Sequence, residues 1–400
     1  MNRIRALAGF VLLAGLPAIA QQQPVVLTLE GALERARQLS PAILAARMRI
    51  DETRGRVIGA TLPLAANPTV ELEGGRRSGE TSTTDYGVAI GQDFELPSRR
   101  RARIDAARAG VAQEEQRARD VERETLREVA TSFLRAVEAG ERVSAASGGK
   151  QLAEEAARIA DRRYAAGDVA QLDVNLARTA VARADAEVRI AEAALRGQLI
   201  HLQVLLGFAE PVTVRGSLRD ETSIARPETI DRPDVRVLDA EIAEAEADMR
   251  LARTLRWPEF GVRASYAREE GDRILLGGVG LTLPVFNRGQ EATAVAEARL
   301  MRLRAEREAL QQTIDADVRG AIATHDALRD AASAFERNVL PLVEENERLA
   351  LESYDVGQIG LGELLLVRRE AFDARRAFID QLIEMRLAEV ELRTKSGVWQ

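Results

Sequence analysis

Between Ser98 and Arg163 the chain contains no proline, and between Asn287 and Leu340 it again contains none. At ~1.5 Å of rise per residue the first run makes a helical rod of ~100 Å, longer than a compact domain can house. Along the second run Leu303, Leu310, Ile314, Val318, Ile322, Leu328, Phe335, Val339 and Leu342 recur mostly at steps of three and four, with alanines between them. That period lays an apolar stripe along a helix and predicts packing against neighbouring helices as a coiled coil. Aromatics are only 4% of the chain, against 46% hydrophobic and 30% charged residues. Such a chain folds, and its Ala-, Leu-, Glu- and Arg-rich composition favours long helices that approach one another closely.

The rods are written twice. YAAGDVAQLDVNLAR from Tyr164 and YDVGQIGLGELLLVR from Tyr354 align with Tyr164 on Tyr354, Gly167 on Gly357, Val169 on Ile359, Asp173 on Glu363 and Arg178 on Arg368. Pro41 and Pro233, Pro68 and Pro258, Pro97 and Pro284, and Gly207 and Gly397 continue the correspondence at nearly constant offset. One unit has been duplicated. Each half predicts a helix (about 28–60 and 234–256), two strands (about 69–75 and 84–96; about 259–267 and 275–283), a long helix, a Tyr-x-x-Gly turn (164–168 and 354–358) and a returning helix. The halves span 21–210 and 234–400, and residues 211–233 between them, rich in Pro, Gly and polar residues, predict a linker or equatorial region.

The strands alternate. Tyr86, Val88, Ile90, Phe94 and Leu96 share one face and Asp85, Gly87, Ala89, Gly91, Asp93 and Glu95 the other; Phe260, Val262, Ala264 and Tyr266, then Val279, Leu281 and Leu283, repeat the pattern. A sheet apolar on one face and wet on the other follows. Packing on a helix would explain any one hairpin. Four such strands above rods of this length instead suggest a sheet facing lipid, whose open edges demand closure by partner chains.

Residues 1–20 predict a secretory signal peptide, with Arg3 and Arg5 before an apolar run from Leu7 to Leu16 and Ala18-Ile19-Ala20 at the cleavage site. The run is too short to cross ~30 Å of hydrocarbon as a helix, and no later segment has 18 consecutive apolar residues. Losing Arg3 and Arg5 takes the formal charge from −7 to −9, which argues against a nucleic-acid partner. With no cysteine there is neither a disulfide nor a lipid-modified Cys, so membrane attachment is expected from the fold itself. His201 and His325 are the only histidines, no metal-ligand spacing occurs, and Gly278-Val279-Gly280 is strand rather than phosphate loop. Nothing here calls for a cofactor, a resident metal or a catalytic residue.

The signal, the duplicated half, the four amphipathic strands, LPVFNRG at 283–289 and YDVGQIGLGELLLVR at 354–368 together resemble the TolC-like outer-membrane efflux protein family, over Leu29 to Gly397. The resemblance implies a mainly α chain with a small β part. Three such chains form a homotrimer with a 12-stranded β-barrel in outer-membrane lipid, continued by an α-helical periplasmic tunnel. It also implies a passive exit duct docking a periplasmic adaptor (membrane fusion protein) and an inner-membrane efflux pump. FELPSRRRARIDAARAG resembles the heavy-metal branch, serving cobalt, zinc, cadmium or copper efflux, although Ser98-Arg99 stands where that branch often has Gly-Lys.

Gly167 and Gly357 are expected to supply the positive φ that ends each rod, with Tyr164 and Tyr354 packed in the last turn. The resemblance adds that these tips, with Val169 and Ile359, meet the adaptor. Asp173 and Glu363 are ordinary solvated helix acids or, as the resemblance implies for Glu363, carboxylates lining the channel constriction. Pro341 bends the second rod, as a hinge or as a static kink, and Gly148-Gly149 could soften the first. A different function, a periplasmic coiled-coil adaptor or scaffold, shares the signal and the helical hairpins. It lacks a reason for strand pairs inside each half.

Overall fold

The structure is a computed structural model describing residues 24–78, 82–220 and 232–397. The expected signal peptide and residues 221–231 of the expected linker lie outside these residues. In chain order the elements are β1 (Val25–Leu27), α1 (Leu29–Leu39), α2 (Pro41–Thr61), β2 (Thr69–Arg77), β3 (Thr83–Phe94), α3 (Pro97–Ala165), α4 (Gln171–Leu205) and β4 (Val212–Val214), followed by α5 (Pro233–Thr254), β5 (Glu259–Glu269), β6 (Asp272–Thr282), α6 (Gln290–Asn338), α7 (Leu340–Asp355) and α8 (Leu361–Ser396).

Helix starts follow the prolines. Pro41, Pro97 and Pro233 each open a helix, where the missing N–H costs nothing and φ is already helical. Two expectations change here. The helix expected over 28–60 is broken at Ser40, which takes extended backbone (φ −60°, ψ 129°) because a residue before proline is driven out of the α region. The expected linker 211–233 contains β4, which pairs in parallel with β1 through Val25 on Val212 and Leu27 on Val214.

Four strands form one antiparallel sheet in the order β2-β3-β5-β6. The register places Val70 beside Ile90, Leu72 beside Val88, Val88 beside Tyr266, Phe94 beside Phe260 and Val262 beside Val279. One face is therefore apolar except for Gln92 and the arginines at its far rim, and it is uncovered: Val70, Leu72, Val88, Ile90, Val279 and Leu281 are all exposed. The opposite face carries Glu71, Glu73, Asp85, Asp93 and Glu269, with Arg263 paired to Glu71 and Arg77 to Asp85, Glu269 and Glu270. Strands of 9, 12, 11 and 11 residues have the length that a tilted strand needs to cross a bilayer core, about 9–11 residues.

The core lies in the helices instead. α3 runs unbroken through Gly148-Gly149, and the Phe372 ring packs beside Gly149. Around its middle, Leu126, Val129, Phe133 and Val137 meet α1, the end of α4, and Phe378, Leu382 and Ile383 of α8. α6 stops at Asn338, and Pro341 falls in the first turn of α7. Phe335 and Leu340, on either side of the bend, pack on this core, and Phe335 stacks on Phe378 at 5.9 Å.

Two glycines with the same backbone sign have different reasons to be glycine. At Gly167 (φ +82°) a side chain would meet open space; at Gly289 (φ +79°), which starts α6, a Cβ would lie 2.7 Å from Leu255 Cβ and 3.0 Å from the Ala252 carbonyl. Gly167→Ala is expected to cost about 1–2 kcal/mol for the left-handed backbone alone. Gly289→Ala adds the cost of overpacking, about 1–3 kcal/mol. Thermal unfolding of the detergent-solubilised protein checks this, and equal shifts for the two variants would contradict the packing of α6 on α5.

Candidate functional site at the helical tips

Both rods reverse through the same hydrogen-bonded end. Gly167 N–H donates to the Tyr164 carbonyl (3.0 Å) and Asp168 N–H to Arg163 (2.9 Å); Gly357 N–H donates to Tyr354 (3.1 Å) and Gln358 N–H to Ser353 (2.8 Å). This pattern consumes helix-end carbonyls and needs positive φ at the glycine, found at +82° and +77°. Val169 and Ile359 sit half-buried just beyond.

The repeat then diverges. Tyr164 is 46% exposed and Tyr354 fully buried. Tyr354 packs with Ala350, Leu361 and Leu364 of its own hairpin and with Ala156, Ile159 and Ala160 of α3 and Ala177 of α4. From α3, Arg163 places its guanidinium 5.1 Å from the centre of the Tyr354 ring and donates from Nη1 to the Tyr354 carbonyl at 3.0 Å. Gly357 shares this contact, since a Cβ there would lie 3.3 Å from Arg163 Nη2. Burial pushes the Tyr354 phenol above its usual pKa; the charge of Arg163 opposes the shift and that of Asp173 adds to it. The tips of the two hairpins are thus joined within one chain, with Arg163, Tyr354 and Asp173 brought together.

The two candidate acids have a local role that their spacing hid. Asp173 and Glu363 are each the third residue of a returning helix, at its very start rather than inside it. Glu363 Oε2 accepts from the Gly360 N–H at 3.2 Å, and an acid there also answers the partial positive charge of the helix N-terminus. Glu363 remains exposed, while Asp173 is half-buried.

Arg368, aligned with Arg178 but not considered as a site residue, repeats the divergence. Arg178 is exposed and pairs with Asp161 at 3.1 Å. Arg368 is buried and donates from Nη1 to the Leu152 carbonyl of α3. Burial lowers its pKa, and the charges of Glu347 and Glu155 oppose the shift. Arg178 and Arg368 stand at the same spacing, five residues beyond Asp173 and Glu363, so the sequence held no signal that separated them. Among the described residues no group of His, Asp and Glu is arranged to hold a metal ion, and no helix is long and apolar enough to cross a membrane.

The sequence pattern of the family described as Outer membrane efflux protein matches residues 32–208 and 229–398, both halves of the duplication. The chain belongs to this outer membrane efflux protein family. It is 28% identical over 385 residues to the cobalt-zinc-cadmium resistance protein CzcC of Cupriavidus metallidurans, covering 92% of this chain and 89% of that one. It is 24% identical over 416 residues to the pyoverdine export outer membrane protein OpmQ of Pseudomonas aeruginosa, covering 93% and 85%. In fold it is similar to CusC (TM-score 0.76, 19% identity, 92% and 91% covered) and to the Campylobacter jejuni CmeC outer membrane channel (TM-score 0.76, 16% identity, 92% and 85% covered).

An outer membrane efflux protein serves passage rather than catalysis, extending from the outer membrane into the periplasm. The adaptor alternative gives way, because the family match spans the strand pairs that an adaptor did not explain. In this protein Arg163→Gln removes the ring contact, worth about 0.5–2 kcal/mol. Amide exchange over 354–360 is expected to quicken about tenfold, with Arg178→Gln leaving it unchanged. The effect should be flat from pH 6 to 9: a phenol with a raised pKa stays neutral there, and its contribution is lost only as pH rises beyond ~10. Equal exchange in wild type and Arg163→Gln would contradict the joined tips.

Proposed function

We propose that three copies of this chain close a 12-stranded barrel in the outer membrane and form the exit duct of a tripartite efflux system for heavy-metal cations. The observation that carries this is the four-stranded sheet with one uncovered apolar face and two unpaired edges, β2 and β6. Membrane barrels close with eight strands or more, so one chain is too few. The first half and the second half run side by side, and the exposed Tyr164 and Arg178 occupy in the first half the places where Tyr354 and Arg368 face a neighbour. A neighbouring copy supplies that missing contact.

Two observations favour cations. Relatives include CzcC and the nickel-cobalt-cadmium resistance protein NccC of Alcaligenes xylosoxydans xylosoxydans, 27% identical over 254 residues. The polar face of the sheet, which lines the closed barrel, carries Glu71, Glu73, Asp85, Asp93 and Glu269 against Arg77 and Arg263, a balance that attracts cations.

At the other end, the tips around Tyr164, Gly167, Val169, Tyr354, Gly357 and Ile359 dock a periplasmic adaptor, through which an inner-membrane pump delivers its substrate. Glu363, with Asp173 beside the Tyr354 contact, forms the constriction of the closed mouth. Pro341 is its hinge, with the joined tips of Arg163 and Tyr354 as the contact that must yield.

Crosslinking in native outer membranes is expected to capture trimers, and Val88→Asp to reduce them, since a charge on the lipid face is destabilising, by about 2–4 kcal/mol for a basic residue at the midplane and less for an acid. Monomers alone in the wild type would overturn the barrel. Planar-bilayer recordings test the mouth separately: Glu363→Gln is expected to weaken cation preference, and unchanged selectivity would leave Glu363 with its helix-capping role alone. A metal-sensitive strain restored by the wild-type chain with its pump and adaptor, but not by drug-type partners, is the expected sign of the metal substrate.

A further inference from the structure

The motif LPVFNRG was singled out in the sequence and is not used by the channel, the tips or the mouth. It joins β6 to α6, opposite the segment that joins α5 to β5. Together they surround an open hollow of about 660 Å³, lined by Arg256, Trp257, Pro258, Leu283, Val285 and Arg288, with Pro284 in its wall. The apolar lining is largely bare: Trp257 is 51% exposed, Leu283 59% and Val285 57%, and the neighbouring Phe286 is 93% exposed.

The hollow is a built feature. Gln290 holds the loop at both ends, accepting from the Arg288 N–H at 2.7 Å and donating to the Phe286 carbonyl at 2.9 Å, while Gly289 N–H donates to Asn287 Oδ1 at 3.0 Å. Gly289 sits directly on Ala252 and Leu255 at the end of α5. The Arg256 guanidinium lies 5.3 Å from the centre of the Trp257 ring.

Two cations border this apolar lining. In the repeat-related rim of the first half three arginines are engaged, Arg99 with Glu259 and the Thr254 carbonyl, Arg100 with the Thr61 carbonyl at 2.9 Å, and Arg103 with Glu95 and the Ala60 carbonyl at 2.8 Å, while Arg101, the counterpart of Arg288, is exposed but has no tryptophan-lined hollow beside it. Among the described residues neither Arg256 nor Arg288 has an acidic partner. Two unpaired guanidiniums therefore border an apolar trough. The trough runs on, through Leu283, from the uncovered sheet face of Leu281 and Phe260.

We propose that this hollow binds one anionic phospholipid of the leaflet at the foot of the barrel. The acyl chain lies along Trp257, Leu283 and Val285, and the phosphate is held between Arg256 and Arg288. The proposal rests on the reading above that the apolar sheet face lies in lipid. Charge complementarity selects the headgroup, because arginine matches phosphate with paired N–H donors. Continuity with the lipid-facing sheet selects the source. Trp257 suits the boundary, where its ring is apolar and its N–H wet.

The test uses delipidated wild-type trimers in neutral detergent, with binding followed by native mass spectrometry. Phosphatidylglycerol is expected to bind at one molecule per chain and about tenfold more tightly than phosphatidylcholine of the same acyl chains, with inorganic phosphate failing to displace it at equal concentration. In the double variant Arg256→Gln with Arg288→Gln, phosphatidylglycerol is expected to fall to the level of phosphatidylcholine, whose own binding stays as in the wild type and reports an intact hollow. If that variant yields no trimers, the pair Arg256→Lys with Arg288→Lys replaces it and is expected to keep a preference of at least threefold. Equal binding of the two lipids to wild-type trimers overturns the site. So does displacement by phosphate alone, which means a free anion site, and so does the absence of any bound lipid, which means that a neighbouring copy covers the hollow. Wild-type protein that forms no trimers counts against the channel reading instead, so the two failures are separable.

Discussion

A backbone N–H or C=O left unpaired in hydrocarbon costs several kcal/mol, and this constraint governs the whole chain. Four strands of about eleven residues offer a bilayer-sized apolar face, but β2 and β6 each keep one edge open. One chain cannot satisfy those edges by itself. The sheet consequently takes almost no part in the core of its own chain, which lies among the helices around Leu126, Phe133, Phe378 and Leu382. The helical part keeps the chain folded and leaves the sheet's two edges free.

Duplication creates the second theme. Two identical hairpins placed side by side cannot use their faces alike, because one turns toward its sibling the face that the other turns away. Tyr354 and Arg368 are buried against α3, while their counterparts Tyr164 and Arg178 stay at the surface. At the rims of the sheet, Arg99, Arg100 and Arg103 are tied into helix ends and carboxylates, whereas Arg256 lies on the Trp257 ring beside the open hollow. Residues that match in the sequence therefore have unlike duties in the structure.

Much of this was legible beforehand, and the remainder was hidden for physical reasons. Periodicity exposes the rods and the alternating strands because each signal is local and repeated many times. Glycine reveals the reversals, since Gly167 and Gly357 take a backbone conformation that other residues avoid. By contrast, β1 and β4 are three residues each and pair across most of the first half, so no local pattern marks them. The break at Ser40 was written in Pro41 but masked by an apolar period that runs through it. Asp173 and Glu363 were visible as acids, while their place as the third residue of a helix depends on where each turn ends. The joining of the tips by Arg163 was invisible, because only packing decides which of two equivalent tyrosines is covered.

The parallel pairing of β1 with β4 bears on how the molecule is made. Val25–Leu27 finds its partner only when Val212–Val214 is present, so this pairing cannot form until the rest of the first half has been made. Loop closure over such a separation is slow but adds little penalty per extra residue. A chain delivered from its N-terminus would therefore fold α3 against α4 first and fasten the leading strand afterwards, sealing the first half as a unit. The β2–β3 hairpin would then wait for β5 to pair with the free edge of β3.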